Sequence, residues 1–221
     1  MPVFSKTRSL LTLLLVLTAF TICQAQAKKK IAYGVFVDNS GSMRTQFERV
    51  IQLSKAVTNQ IRERGPVSIF DFYSQGRLQQ GRAVAIARIE QTQDARLLEQ
   101  SIDELYVEGG QTTLLDAIQV MANRLSETAA GPDYSDHIII LITDGEERTS
   151  VVRQKQLMLR LSELKIRVYA IGLVEQLNSG SRSKAGDLLT EITKETGGRV
   201  VFPKSNSQDK QSILAEMALP I

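Results

Sequence analysis

The sequence predicts an α/β fold: a doubly wound, mostly parallel six-stranded sheet with helices on both faces. Three observations carry this expectation. Short runs of β-branched and apolar residues alternate with amphipathic stretches of helical length, the pattern of right-handed βαβ crossovers. Two of the runs, Ile138 to Ile142 and Val168 to Ile171, are apolar at nearly every position, as strands buried on both faces require. Two others, Val67 to Tyr73 and Ala83 to Ile89, flank a polar, glycine-bounded turn and read as a hairpin that contributes one antiparallel strand.

In chain order, Ile31 to Val37 is a strand, bounded by lysines before it and by Asp-Asn-Ser-Gly-Ser after it. From Thr45 to Arg64 the apolar positions Phe47, Val50, Ile51, Ala56, Val57 and Ile61 recur at helical spacing until Gly65-Pro66 stops them. After the hairpin, Asp94 caps a helix running to about Tyr106, and a second helix runs from about Thr113 to Ser126. Strand Ile138 to Thr143, helix Val151 to Leu164 and strand Arg167 to Leu173 follow. Asn178 to Ser183 reads as a polar loop, then come helix Asp187 to Thr196, strand Val200 to Phe202 and a last helix from about Asp209.

The chain has 221 residues, 43% of them hydrophobic and 23% charged, which supplies core material for one domain, assigned to residues 28–221. Residues 1–27 are set apart as a signal peptide. Lys6 and Arg8 precede an apolar run from Leu10 to Ile22, and Ala25-Gln26-Ala27 offers the small residues that a signal peptidase reads. An uncleaved anchor is the alternative, disfavoured because the run is shorter than the roughly 20 residues of a membrane span. The expected location is therefore periplasmic or secreted. Cys23, the only cysteine, lies in the leader without a small residue before it, which argues against lipid attachment; the mature chain has no thiol to oxidise or bridge.

Losing Lys6 and Arg8 leaves 25 basic against 24 acidic residues, a net charge of +1. That balance argues against a nucleic-acid or membrane-surface field. Lys28-Lys29-Lys30 reads as a solvated ramp into the first strand.

Chemistry gathers where strands end. Asp38-Asn39-Ser40-Gly41-Ser42 follows the first strand, so its side chains emerge at the carboxyl edge, where open α/β sheets hold ligands. One carboxylate and two hydroxyls at alternate positions offer oxygen donors alone, suited to a hard cation. Asp144-Gly145 closes the strand Ile138 to Thr143 in the same way. If the two strands are parallel neighbours, Asp38 and Asp144 share one crevice, and a dication relieves their repulsion.

These residues resemble the metal-ion-dependent adhesion site of the von Willebrand factor type A family: Asp-x-Ser-x-Ser, a distant threonine, and an aspartate after a later apolar strand. Asp38, Ser40 and Ser42 match the first element, and Asp144 the third. Gly109-Gly110-Gln111-Thr112-Thr113-Leu114-Leu115-Asp116-Ala117-Ile118 is similar to the second loop, making Thr112 the ligating threonine and Thr113 the second choice. Thr196-Gly197-Gly198-Arg199 is similar to bacterial secreted members. The resemblance covers residues 31 to 218. It implies a Rossmann-like strand order 3-2-1-4-5-6 and a bound Mg²⁺, with Mn²⁺ or Ca²⁺ as alternatives. It also implies a protein partner whose carboxylate completes the coordination, and no catalysis. In that arrangement Ser40, Ser42 and sometimes Thr112 touch the ion while Asp38 and Asp144 act largely through water and hydroxyl hydrogen bonds. A monomer is expected. Because few residues follow the last helix, a static binder is expected too.

Other readings compete. Singly, Asp38 to Ser42, Thr112 and Asp144-Gly145 fit capping turns. A serine hydrolase using Ser40 or Ser42 lacks a Gly-x-Ser-x-Gly elbow and a placed histidine. An accessory subunit of a metal-inserting or remodelling ATPase conflicts with the leader. His137, the only histidine, is read as structural, Glu146 and Glu147 as a solvated rim, and Tyr33, Phe36, Phe70 and Phe72 as core.

Overall fold

A computed structural model describes residues 29–74, 83–109, 112–204 and 209–220. The expected leader, residues 1–27 with Cys23, lies outside the described residues, as do Lys28, the expected hairpin turn at 75–82, Gly110 and Gln111. Six strands form one sheet in the order β3-β2-β1-β4-β5-β6. They are β1 (Lys30–Asp38), β2 (Val67–Ser74), β3 (Ala83–Thr92), β4 (Tyr134–Thr143), β5 (Ile166–Gly172) and β6 (Val200–Val201). All neighbours pair in parallel except β2 and β3, which form the expected antiparallel hairpin.

Among the described residues six α-helices connect or follow the strands: α1 (Phe47–Ile61), α2 (Ala95–Asp103), α3 (Leu114–Thr128), α4 (Gln154–Glu163), α5 (Ser179–Glu195) and α6 (Lys210–Met217). Alternation along each strand sends consecutive side chains to opposite faces, so β4 builds two cores at once. Ile138, Ile140 and Ile142 pack with Val50, Leu53, Val57, Ile213, Leu214 and Met217 on the face covered by α1, α2 and α6. Ile139 and Leu141 pack with Phe36, Phe70, Ile118, Leu157 and Leu189 on the face covered by α3, α4 and α5. Tyr33, Phe36, Phe70 and Phe72 are fully buried as expected. Gly65 is required by space, since a Cβ there would stand 1.9 Å from the Ile31 carbonyl oxygen.

Several boundaries differ from the sequence reading. The segment Asn178 to Ser183 is not a loop. The Asn178 side chain accepts the Ser181 N–H at 3.0 Å, and Arg182 donates to the carbonyls of Glu175 and Leu177, so the polar residues start α5 eight positions early. Conversely, α2 ends at Asp103 rather than Tyr106, and the chain before α1 is a tight 3-10 helix, Gly41–Gln46. β4 begins four residues early, at Tyr134, because Lys30 pairs with it at the sheet's amino edge.

Candidate metal centre

β1 and β4 are adjacent and parallel, with Val37 opposite Ile142, so the residues that follow them emerge side by side at the carboxyl edge. Asp38 is fully buried. Its Oδ1 accepts the Ser40 N–H at 3.0 Å and its Oδ2 accepts the Thr143 hydroxyl at 2.6 Å, which ties the first loop to the end of β4. The Thr143 hydroxyl oxygen in turn accepts the Gly145 N–H at 2.9 Å. Gly145 has φ +74, and a Cβ on it would meet Leu189 at 2.9 Å, so only glycine lets the chain turn immediately after Asp144.

Ser40 and Ser42 face one another with their hydroxyl oxygens 3.1 Å apart. Asp144 is 1% exposed; its Oδ1 accepts the Glu146 N–H at 2.9 Å. Its Oδ2 is enclosed and has no hydrogen-bond partner among the described residues. Burial, and next the negative charge of Asp144, push the Asp38 carboxyl up to about 7. Burial also raises Asp144, offset in part by the nearby Ser42 hydroxyl and the Glu146 N–H. Two buried carboxylates and an orphaned oxygen form an electrostatic defect that a dication would remove. The donors are oxygens throughout, which fits a hard ion. Among the described residues no three His, Cys, Asp or Glu side chains gather into a metal cage, so an ion here depends on the hydroxyls.

Thr112 reaches the same edge by another tether: its carbonyl accepts the Arg148 N–H at 3.0 Å. Thr112 is 2% exposed, and the adjoining Thr113 has an enclosed hydroxyl without a hydrogen-bond partner among the described residues. The expectation that Glu146 and Glu147 form a solvated rim needs correction. Glu147 accepts the Leu115 N–H and both the N–H and hydroxyl of Ser150. Asp116 accepts the N–H groups of Val151 and Val152 at 3.1 and 2.8 Å. These carboxylates staple the β4 loop to the first turn of α3. No sequence signal separates such a staple from a solvated charge, because the bonds that join the two loops, Glu147 to Leu115 and Asp116 to Val151 and Val152, span 32 to 36 positions.

Asn39 was not singled out by the sequence and is fully buried. Its Nδ2 donates to Asp71 at 3.0 Å and to the Tyr106 carbonyl at 3.3 Å, and its own carbonyl accepts the Glu108 N–H. His137 lies in the amino half of β4, six residues before Thr143 and so about 20 Å away at strand rise. Its Nε2 stands 3.2 Å from the Ala129 carbonyl.

Solved structures share this architecture. An aerotolerance-related membrane protein from Bacteroides fragilis, carrying multiple mutations to serines, is 17% identical with a TM-score of 0.62, over 85% of this chain and 98% of its own. BatB from Bacteroides thetaiotaomicron is 16% identical with a TM-score of 0.56, over 86% of this chain and 98% of its own. The manganese-loaded TRAP protein of Plasmodium vivax is 16% identical with a TM-score of 0.57, over 85% of this chain and 71% of its own. At such identities the likeness shows the fold. No curated protein matches the chain in sequence. The family model of the von Willebrand factor type A domain matches residues 35–216, nearly the whole of the described sheet and its helices, and the chain belongs to that family.

Proposed function

We propose that this protein is an exported, divalent-cation-dependent protein-binding module that grips an acidic group of its partner. Members of the family are typically protein-interaction modules with a metal-ion-dependent adhesion site, generally without enzymatic activity. The observation that carries the reading is the pairing of two buried carboxylates, Asp38 and Asp144, with the facing hydroxyls of Ser40 and Ser42, while Asp144 Oδ2 is left without a hydrogen-bond partner among the described residues.

In this reading Ser40, Ser42 and Thr112 hold the ion, and Asp38 and Asp144 orient the hydroxyls and bound water from behind. Asp38 is suited to that role because it holds Ser40 through its N–H and is itself fixed by Thr143. A dication with mostly neutral direct ligands supplies an electrophilic position for a partner carboxylate. Mg²⁺ is the ion this reading expects, and the Ser40 and Ser42 hydroxyls, hydrogen-bonded to one another at 3.1 Å, would each give up that bond to turn an oxygen towards it. The manganese in the Plasmodium structure supports an octahedral dication of this class.

A hydrolase reading through Ser40 or Ser42 has no support from His137, which sits about 20 Å down β4. Export rests on the leader pattern of residues 1–27, and among the described residues no helix is long and apolar enough to cross a membrane. Calorimetric titration tests the metal site. The mature chain should bind one Mg²⁺ or Mn²⁺, and Asp38→Ala should abolish binding while circular dichroism shows a retained fold. Unchanged affinity in that variant removes the site.

A further inference from the structure

Beside the metal loop lies a buried charged assembly that the proposed ion chemistry does not use. Asp71, on β2, is fully buried. Arg88, on β3, donates to both of its carboxylate oxygens, Nε to Oδ1 at 2.9 Å and Nη2 to Oδ2. Asp71 Oδ2 also accepts Asn39 Nδ2. The amide of Asn39 can adopt one orientation alone, because its NH₂ group faces two acceptors, the Asp71 carboxylate and the Tyr106 carbonyl. Its Oδ1 is enclosed and, among the described residues, unpartnered as a result. The Asn39 carbonyl is taken by the Glu108 N–H. Thus side chain and backbone of the same residue are both fixed, and that residue stands between Asp38 and Ser40.

Burying the Asp71 carboxylate is expensive even with the Arg88 guanidinium, 25% exposed, beside it, and an apolar residue of similar shape would serve stability as well or better. What the charged pair adds is direction. Arg88 holds the Asp71 carboxylate flat, and that carboxylate holds Asn39. Because consecutive residues point to opposite sides of an extended chain, fixing the Asn39 side chain on one side sets Asp38 on the other and the Ser40 backbone beyond it. The Ser40 and Ser42 hydroxyls, hydrogen-bonded to one another at 3.1 Å, are carried on that backbone.

We infer that Asn39, Asp71 and Arg88 are positioning residues that hold the backbone carrying the Ser40–Ser42 hydroxyl pair in one rigid arrangement, so that the clamp sets preference for Mg²⁺ over Ca²⁺. The inference rests on the metal-site reading and extends it, from which residues meet the ion to which residues choose it. Mg²⁺ demands near-ideal octahedral geometry, whereas Ca²⁺ tolerates irregular oxygen cages. A loosened loop therefore penalises Mg²⁺ more than Ca²⁺.

The test is calorimetric titration of the full mature chain with Mg²⁺ and, separately, Ca²⁺, in wild type, Asn39→Ala and Asp71→Asn, with melting curves in chelator to report the fold. Asn39→Ala is expected to lose Mg²⁺ affinity by about tenfold or more, the range for residues that orient metal ligands. Its Ca²⁺ affinity should change by much less, so the Mg²⁺ to Ca²⁺ ratio collapses. Asp71→Asn keeps an acceptor within reach of Asn39 Nδ2 and should retain most of the ratio even if its melting temperature falls. Equal losses for both ions in Asn39→Ala would make the clamp structural and overturn the inference, as would unchanged Mg²⁺ affinity. Absence of ion binding in the wild type would instead overturn the metal-site reading together with what rests on it.

Discussion

Glu147 accepts the backbone N–H of Leu115 at 3.0 Å, so a carboxylate three residues after Asp144 caps the helix that follows Thr112. The relationship joins two loops of the proposed site that are far apart in sequence. Its negative charge sits at the positive end of α3, where the first N–H groups lack partners of their own. Ser150 and Asp116 extend the junction, and the Arg148 N–H to the Thr112 carbonyl closes it. Thr112 and Asp144 are therefore held in fixed relation before any ion arrives.

Glu147→Ala leaves the Leu115 and Ser150 N–H groups without their acceptor. We expect a loss of about 1–2 kcal/mol of stability, the scale for a partly exposed charged hydrogen bond. Mg²⁺ affinity should fall in the same variant, because the Thr112 loop loses its tether. Denaturant unfolding and calorimetry measure the two. Lost stability with unchanged affinity would mean that Thr112 does not meet the ion.

The raised carboxyls give the site a pH dependence of definite sign. Asp38 rises from 3.8 to about 7 through burial, then through the charge of Asp144. The folded chain thus holds the proton more tightly than the unfolded chain. The contribution of Asp38 to the stability of metal-free protein should therefore be fully present below the unfolded value and be lost as pH rises towards 7. An ion must displace that proton, so Mg²⁺ affinity should climb by about tenfold per unit up to about pH 7 and then level. Melting temperatures in chelator and in Mg²⁺ between pH 5 and 8 test this. A chelated protein whose melting temperature rises over that interval contradicts it.

Much of this architecture was legible in the sequence because the strongest signals are local. The runs Ile138 to Ile142 and Val168 to Ile171 announce doubly buried strands, and Asp-x-Ser-x-Ser at a strand end announces a carboxyl-edge site. What stayed hidden depends on distant partners. Asn39 reads as a spacer until Asp71 and Tyr106, 32 and 67 positions away, are brought to it. Asn178 to Ser183 reads as a loop because Ser and Gly are poor helix formers, yet the Asn178 cap and α5's packing through Ala185 and Leu189 override that preference.

Export makes a separate prediction. Protein recovered from its native compartment should begin at Lys28, with the cut after Ala27, by intact-mass measurement. Retention of residues 1–27 would favour the anchored alternative.

The last prediction concerns α6 and whether it restrains the site. Ile213, Leu214 and Met217 are buried against the α1 face of the sheet, and α6 packs on both β6 and α1. α1 follows the 3-10 turn that carries Ser42, so a mechanical path from α6 to the hydroxyl pair exists. Two contacts interrupt it. Met43 is fully buried within that turn, and Gln46 donates through Nε2 to the Leu173 carbonyl at 3.1 Å, pinning the end of the turn to the chain just after β5. A shift of α6 would have to break this bond before it moved Ser42, and transmission needs two discrete arrangements of the turn. Met217→Ala should therefore cost about 2–5 kcal/mol, as large-to-small core substitutions do, while Mg²⁺ affinity changes less than about twofold. Deleting residues 209–221 would remove Ile213 and Leu214 as well and threatens the fold itself, so the point substitution is the cleaner probe. A folded Met217→Ala protein that binds Mg²⁺ or an acidic partner many-fold more tightly would show that α6 holds the site in a weaker state, against the static binder argued from Gln46.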